Sequence, residues 1–421
     1  MDNNAVIITI GDEILRGRIV DTNFSYLAKR LYLMGIDVRI HYTVPDREEW
    51  VWAALSEATE RADIVITTGG LGPTPDDATR KGLARFLGKK LVFDNRFAQK
   101  IRAYFQRRNI PMPESNLVQA YLPEGAVPLE NDEGTAPGIF ARKDSMMIVM
   151  LPGPPNEMRA VFRSVELILK REIALPERHT KIYRTIGVPE SVLYEWIAAE
   201  EIAGASISYY PSLRGVDIYV VAGSKEAREK ATAALDKILL PHSYSFTEDE
   251  RIEKVIGDML RERKQTLAVA ESCTGGKLAG WIVDIPGSSD YFLGGVVSYS
   301  NEAKEKFLGV RHEDLVEHGA VSSPVARQMA EGAKKHFGSD YGIGITGIAG
   351  PTGGTPKKPV GLVYISVATP ERTFVRRYVF NGNRDAVRTR SAATALFMLW
   401  VALKAGDLTK HNFQDGGEFA E

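Results

Sequence analysis

Apolar and polar positions follow two periods along the first part of the chain. Ala5–Ile10 (AVIITI) is a continuous apolar run that stops at Gly11, the pattern of a strand buried on both faces. Thr22–Met34 carries apolar residues at helical spacing and stops at Gly35. Asp37–Val44 reads as a second strand and Arg47–Arg61 as a helix. Asp63–Thr67 reads as a third strand, running into Gly69-Gly70-Leu71-Gly72-Pro73. Asp77–Leu87 and Phe97–Arg108 read as helices, the second with a basic, solvated face. Met146–Leu151 reads as a strand before Pro152-Gly153-Pro154-Pro155, and Asn156–Glu172 as a helix. Continuous apolar strands alternating with helices predict a parallel sheet covered on both faces.

Near Leu175–Arg178 the pattern changes. Short alternating segments (Tyr183–Gly187, Ala205–Pro211, Val216–Ala222) and helices near Ser191–Glu200 and Lys225–Leu239 predict a small α+β unit. Leu240–Asp249 reads as a linker. Strand–helix alternation then resumes. Glu250–Glu262 reads as a helix, and Thr266–Glu271 as a strand before Ser272-Cys273-Thr274-Gly275-Gly276. Gly294–Ser300, Tyr341–Thr346, Gly361–Ala368 and Thr373–Phe380 read as further strands, with helices at Ser323–Phe337 and Arg384–Ala402. The polar tail from Gly406 reads as frayed. The expected architecture is α/β. Two three-layer domains with mostly parallel sheets (1–174 and 250–421) are joined by a small α+β domain (175–249).

Composition narrows the function. Lys plus Arg is 53 against 54 Asp plus Glu, a net charge of −1 over 421 residues, which argues against coating nucleic acid or an anionic membrane. The single cysteine, Cys273, excludes a disulfide framework and a multi-thiolate metal site, and points to a reducing cytoplasm. Met1-Asp2-Asn3-Asn4 lacks the basic start of a signal peptide, and no apolar stretch reaches the roughly 18 residues of a membrane span. The seven histidines show no i, i+4 pair, so a helical His-His zinc site is not expected. Gly275-Gly276-Lys277 lacks the spacing of a P-loop.

The glycine-rich strand exits are where chemistry is expected, because ligands of open α/β sheets sit beyond the carboxyl ends of the strands. VAESCTGG places small polar residues between a strand and a helix, where free N–H groups can hold an anion or oxyanion. Ser272 is the candidate nucleophile, with Cys273 the alternative. A serine needs a base. The flanking loops offer no histidine, but Lys304 follows 32 residues on, after a second strand. A desolvated lysine can serve as that base. The blander reading makes Ser272 a helix cap and Lys304 a surface lysine. GITGIAGPTGG, with Thr346, Gly347 and Gly350, suits a backbone cradle for a ribose-phosphate or a carboxamide. Arg384, with Arg388 a turn later, opens the last helix, where the helix dipole disfavours a cation unless an anion is bound. In the first domain, Thr67–Gly72, with Thr68, Gly69, Gly70 and Gly72, can cradle phosphate. Asp76 and Asp77 offer carboxylates to a hard cation such as Mg²⁺. Gly11-Asp12-Glu13 adds an acidic pair, and Thr135-Ala136-Pro137-Gly138 and Pro152-Gly153 form rigid walls.

The segments ITIGDEILRGRIVDTN, TTGGLGPTPDDATR, GTAPG and LPGPPNEM resemble the first domain of the competence/damage-inducible CinA family, a domain similar to MoaB/MogA-type molybdopterin-binding proteins. AESCTGG, VVSYSNEAK, HGAVS, TGIAGPTGG and NRDAVR resemble that family's C-terminal amidohydrolase domain. The resemblance implies two hydrolytic activities. One is deamidation of nicotinamide mononucleotide to nicotinate mononucleotide and ammonia by Ser272 and Lys304, with Tyr299 in the pocket. Thr274, Gly275, Gly276, Asn301, Thr346, Gly347 and Gly350 would line it, and Arg384 or Arg388 would hold the phosphate. No cofactor is implied for that step. The other is metal-dependent cleavage of ADP-ribose, with Glu13, Asp76 and Asp77 as metal candidates. It also implies a KH-type middle module and a homodimer. The middle unit has no Gly-x-x-Gly nucleic-acid loop, so no nucleic-acid partner is expected. A pterin-binding protein and a DNA-uptake partner are the rival readings.

Overall fold

The AVIITI run is wholly buried, as its pattern requires, and forms the centre of the first sheet. The computed structural model describes residues 3–74 and 77–420. They divide into two compact units, 1–178 and 179–421.

The first unit runs β1 (Asn4–Ile10), α1 (Asp12–Leu15), α2 (Thr22–Leu33), β2 (Asp37–Val44), α3 (Glu48–Ala58), β3 (Ile64–Thr68), α4 (Thr79–Leu87), β4 (Leu91–Phe93), α5 (Asn95–Arg107), β5 (Tyr121–Pro123), β6 (Val127–Leu129), β7 (Gly138–Lys143), β8 (Met146–Leu151) and α6 (Pro155–Glu172). The main sheet has the order β2-β1-β3-β8-β7-β6, with the first four strands parallel and β7 and β6 antiparallel. Alternate residues of β1 serve opposite faces. Ala5 and Ile7 pack with Leu27 and Leu31 of α2 and Val161 and Phe162 of α6. Val6 and Ile8 pack with Val51 and Leu55 of α3 and Leu83 of α4. Each fully buried aliphatic side chain of this kind contributes about 1.5–3 kcal/mol.

The second unit opens with β9 (His179–Thr185), α7 (Glu190–Ala198), β10 (Ala205–Ser212), β11 (Gly215–Ala222), α8 (Lys225–Leu239) and β12 (Ser243–Ser245). These form an antiparallel sheet of order β10-β11-β9-β12 against α7 and α8. The segment expected to be a bare linker thus contributes an edge strand: Ser243 and Ser245 are buried against β9. The unit continues as α9 (Ile252–Arg263), β13 (Leu267–Glu271), α10 (Lys277–Val283), β14 (Phe292–Val297), α11 (Asn301–Leu308), α12 (His312–His318), α13 (Ser323–Phe337), β15 (Tyr341–Gly347), β16 (Leu362–Ala368), β17 (Thr373–Val379), α14 (Arg384–Ala405) and β18 (Glu418–Phe419). The sheet order is β14-β13-β15-β16-β17-β18, parallel through β15 and antiparallel beyond. Helices α9, α10 and α14 cover one face, and α11, α12 and α13 the other.

The tail is not frayed. Leu408 is fully buried, and Asp415 pairs with the buried Arg376 at 2.9 Å and accepts from the Tyr378 hydroxyl at 2.9 Å. Three contacts scattered through a polar stretch, with no periodicity, anchor it to β17.

Candidate functional site

In the second unit β13 ends at Glu271 and the chain turns through Ser272–Gly276 into α10. Gly275 and Gly276 adopt φ of +60° and +85°, the left-handed region that glycine enters at least cost. The Ser272 N–H donates to Ile345 O of β15 at 3.0 Å, and the Ser298 N–H to Glu271 O at 2.9 Å, so the exits of β13, β14 and β15 are tied together. Ser300 caps α11 by accepting from the Ala303 N–H, which sets Lys304 one turn into that helix.

Lys304 Nζ donates to Ser272 Oγ at 3.2 Å and to Ser298 O at 2.7 Å. The side chain is 1% exposed. Burial holds its amine below the usual lysine range, because desolvation disfavours the charged form, against a smaller opposing effect of Cys273. Its two hydrogen bonds go to a hydroxyl and a carbonyl, not to a carboxylate. Ser272 is therefore not a cap, and Lys304 is not a surface lysine. Cys273 is buried, and burial pushes its thiol up to about 12, which leaves it protonated and unreactive near neutrality.

Glu271 does what the sequence did not reveal. It reads as a strand residue, yet its carboxylate accepts from the Leu278 N–H at 3.1 Å and the Ala279 N–H at 2.8 Å. The start of α10 is thereby already neutralised. The Thr274 N–H enters none of the backbone hydrogen bonds of this turn, in which the Gly275 N–H donates to Ser272 O and the Lys277 N–H to Thr274 O, so it is suited to meet a developing oxyanion.

The other expected residues fall around this pair to differing degrees. Arg388 donates twice to Thr274 O, at 2.7 and 3.2 Å, and lies against Gly275, where an added Cβ would stand 3.4 Å from the guanidinium. Arg384 donates to Gly350 O at 2.8 Å and to the Tyr299 hydroxyl at 3.1 Å, which joins the last helix to two loops of the site. Thr346 is buried and its hydroxyl donates to Ala320 O at 2.7 Å, so it fastens the HGAVS loop. Gly347 has no room for a side chain, since a Cβ would meet Val363 at 2.7 Å and Leu362 O at 2.8 Å. Asn301 is exposed at the start of α11, three residues before Lys304.

In the first unit the exits of β1, β3 and β8 converge. Gly69 sits at φ +107°, and a Cβ there would stand 2.0 Å from Ile10 O. The Thr68 hydroxyl donates to Pro152 O at 2.9 Å, and a Cβ on Gly153 would stand 3.5 Å from the Gly69 Cα. The Thr79 hydroxyl holds Gly69 O at 2.9 Å, leaving Gly70 no space for a side chain. Asp77 accepts from the Gly72 N–H and the Thr74 N–H, both at 2.7 Å, and from the Thr74 hydroxyl at 2.5 Å. It fastens the loop that precedes it by accepting from N–H groups three and five residues back. Asp76 lies outside the described residues. Thr135 lines a cleft of about 460 Å³ with Phe97, Tyr104 and Asn131. Asn23, which the sequence did not single out, donates from Nδ2 to Thr68 Oγ1 at 2.9 Å and to Gly153 O at 2.7 Å.

Residues 249–403 match the CinA C-terminal domain model, and residues 6–171 match a model described as "Probable molybdopterin binding domain". A protein of Caldanaerobacter subterraneus named for competence-damage induction is 41% identical over 400 residues, covering 93% of this chain and 97% of its own. The chain belongs to the CinA family. A CinA-like protein of Kosmotoga olearia is 40% identical over 406 residues, covering 95% of this chain and 98% of its own. A crystal structure of a CinA protein of unknown function from Thermoplasma acidophilum is 35% identical, covers 41% of this chain and 98% of its own, and superposes with a TM-score of 0.38.

Whether a divalent cation suits the CinA-type first unit turns on its carboxylates. Burial raises the Asp46 carboxyl. The Asp12 N–H opposes this, and repulsion from Glu13, Asp12 and Asp77 adds to it, so these acids feel one another at the strand exits. Among the described residues no three His, Cys, Asp or Glu side chains converge on one point. The described residues therefore form no closed protein cage for a metal ion.

Proposed function

We propose that the second unit deamidates nicotinamide mononucleotide and that the first cleaves ADP-ribose. The observation that carries the reading is the contact of buried Lys304 with Ser272 Oγ at 3.2 Å, its other hydrogen bond going to Ser298 O and neither going to a carboxylate. Neutral Lys304 takes the Ser272 proton as Oγ attacks the carboxamide carbon. The oxyanion faces the Thr274 N–H group. Lys304 then gives its proton to the departing nitrogen, which leaves as ammonia, and an ester on Ser272 remains. Water, activated by Lys304, cleaves that ester to nicotinate mononucleotide and restores the serine. Arg384 and Arg388 lie within the same site and are suited to the phosphate, with Tyr299 beside Arg384.

In the first unit Thr68, Gly69, Gly70 and Gly72 supply the backbone cradle, and Thr135, Pro152 and Gly153 the walls. Glu13, Asp76 and Asp77 would hold the cation, which when bound offsets phosphate charge. Incubation of the full-length protein with each substrate separately tests both halves. Ammonia is expected from nicotinamide mononucleotide, and AMP with ribose 5-phosphate from ADP-ribose in the presence of Mg²⁺. The family description of residues 6–171 supports a second reading, in which the first unit binds a pterin. Pterin binding without ADP-ribose cleavage would favour it.

A further inference from the structure

Asn23 lies at the start of α2, 8% exposed, beside the exits of β3 and β8. Both its donors are used, toward Thr68 Oγ1 and Gly153 O. The orientation of the amide is fixed by chemistry. The Thr68 hydroxyl spends its proton on Pro152 O and can only accept from Asn23, and Gly153 O is an acceptor by nature. Neither could face Oδ1. That leaves Asn23 Oδ1 as a buried acceptor with no partner among the described residues. A buried acceptor left unmade costs about 1–3 kcal/mol, which a ligand donor would recover.

Resting on the reading of the first unit as a sugar-nucleotide site, we propose that Asn23 Oδ1 recognises a ribose hydroxyl of the bound substrate. The chemistry excludes the phosphates, since an acceptor cannot bond oxygens that only accept. It favours the one part of ADP-ribose rich in O–H donors. Gly69 and Gly153 lie beside it with their backbones packed closely, Gly69 against Ile10 O and Gly153 against the Gly69 Cα, so Asn23 sits where the exits of β1, β3 and β8 meet. Asn23 is thus a specificity residue that reads the sugar, while the loop N–H groups meet the phosphates.

The test is calorimetric titration of the full-length protein, with Mg²⁺, using ADP-ribose and inorganic pyrophosphate as probes. Asn23→Leu keeps the shape and loses the amide. It also removes the bonds to Thr68 Oγ1 and Gly153 O, and any loss from a disturbed cradle falls on both probes, so ADP-ribose should weaken about 10- to 100-fold more than pyrophosphate. A second measurement needs only the wild-type protein. Ribose 5-phosphate should displace ADP-ribose at least about tenfold better than inorganic phosphate. Equal loss of both probes in the variant, or equal displacement by both competitors, overturns the inference. So does ADP-ribose binding that Asn23→Leu leaves intact. A wild-type protein that binds no ADP-ribose overturns the reading of the site itself, and this inference with it.

Discussion

His411 gives the second unit a calculable weakness to acid. Its ring meets Phe413 at 4.8 Å, His242 at 5.4 Å and Phe397 at 5.5 Å, centroid to centroid. His411 Nε2 and His242 Nδ1 are both buried and find no hydrogen-bond partner among the described residues. Burial first, then His242, Lys404 and Arg376, lower the His411 imidazole to about 4. Asp415, the nearby acid, is already paired with Arg376. The folded value is depressed, so the folded state prefers the neutral ring. The stability this represents is complete above the unfolded value near 6.5 and is lost as the pH falls toward 4. A shift from 6.5 to about 4 removes about 2 kcal/mol between pH 7.5 and 5.0. For a unit of this size each kcal/mol moves the midpoint by about 2–4 °C, so the expected drop is about 4–8 °C. Scanning calorimetry of the wild type and His411→Phe at both pH values measures it. The phenylalanine keeps a ring among the aromatic neighbours and cannot take a proton, so its midpoint should fall less by that amount. An equal fall in the two proteins would refute the assignment.

Substitutions at four positions test the proposed chemistry. Ser272→Ala should lower ammonia release from nicotinamide mononucleotide by about 10³-fold or more, whereas Cys273→Ala, which removes a buried and protonated thiol, should cost only a few-fold; the reverse order would exchange their roles. Lys304→Arg keeps a charge that cannot be given up. It should damage kcat as severely as Lys304→Ala, and retention of most of the wild-type kcat would reduce Lys304 to a fixed charge. Asp77→Ala releases the Gly72–Thr74 loop. It should abolish ADP-ribose cleavage, as a chelator should, while deamidation continues; pyrophosphatase activity undiminished by chelator would remove the metal from the account.

The parts legible in the sequence were those whose physics is local or periodic. Continuous apolar strands, the glycines at their exits and the spacing of Ser272 and Lys304 all read directly. The short strands β4 to β6 did not, because two or three residues carry no period. The strand β12 and the docked tail failed for a related reason: Ser243, Ser245 and Asp415 are polar residues whose burial is decided by distant partners. Asn23 and Glu271 escaped for the same cause. Each is an ordinary polar residue until the fold brings it to a strand exit, and neither belongs to a run or a repeat. Asp77 closes the Gly72–Thr74 loop with its carboxylate, a role that its place just before a helix does not reveal.

Glu271 shows why the placement of one acid matters to the chemistry next door. It directly precedes Ser272, and a carboxylate facing Lys304 would favour the ammonium and deny the serine its base. The fold turns that carboxylate instead onto the Leu278 and Ala279 N–H groups, where the partial positive charge of α10 holds it. Two consequences follow from the single bond pair. The start of α10 is no longer free to attract an anion. Lys304, meanwhile, is left with dipoles only, Ser272 Oγ and Ser298 O, so desolvation is not offset by an opposite charge. A buried amine held this way is costly to the folded state, and a site built for stability alone would carry an apolar side chain there. The cost is intelligible where the neutral amine is the reagent.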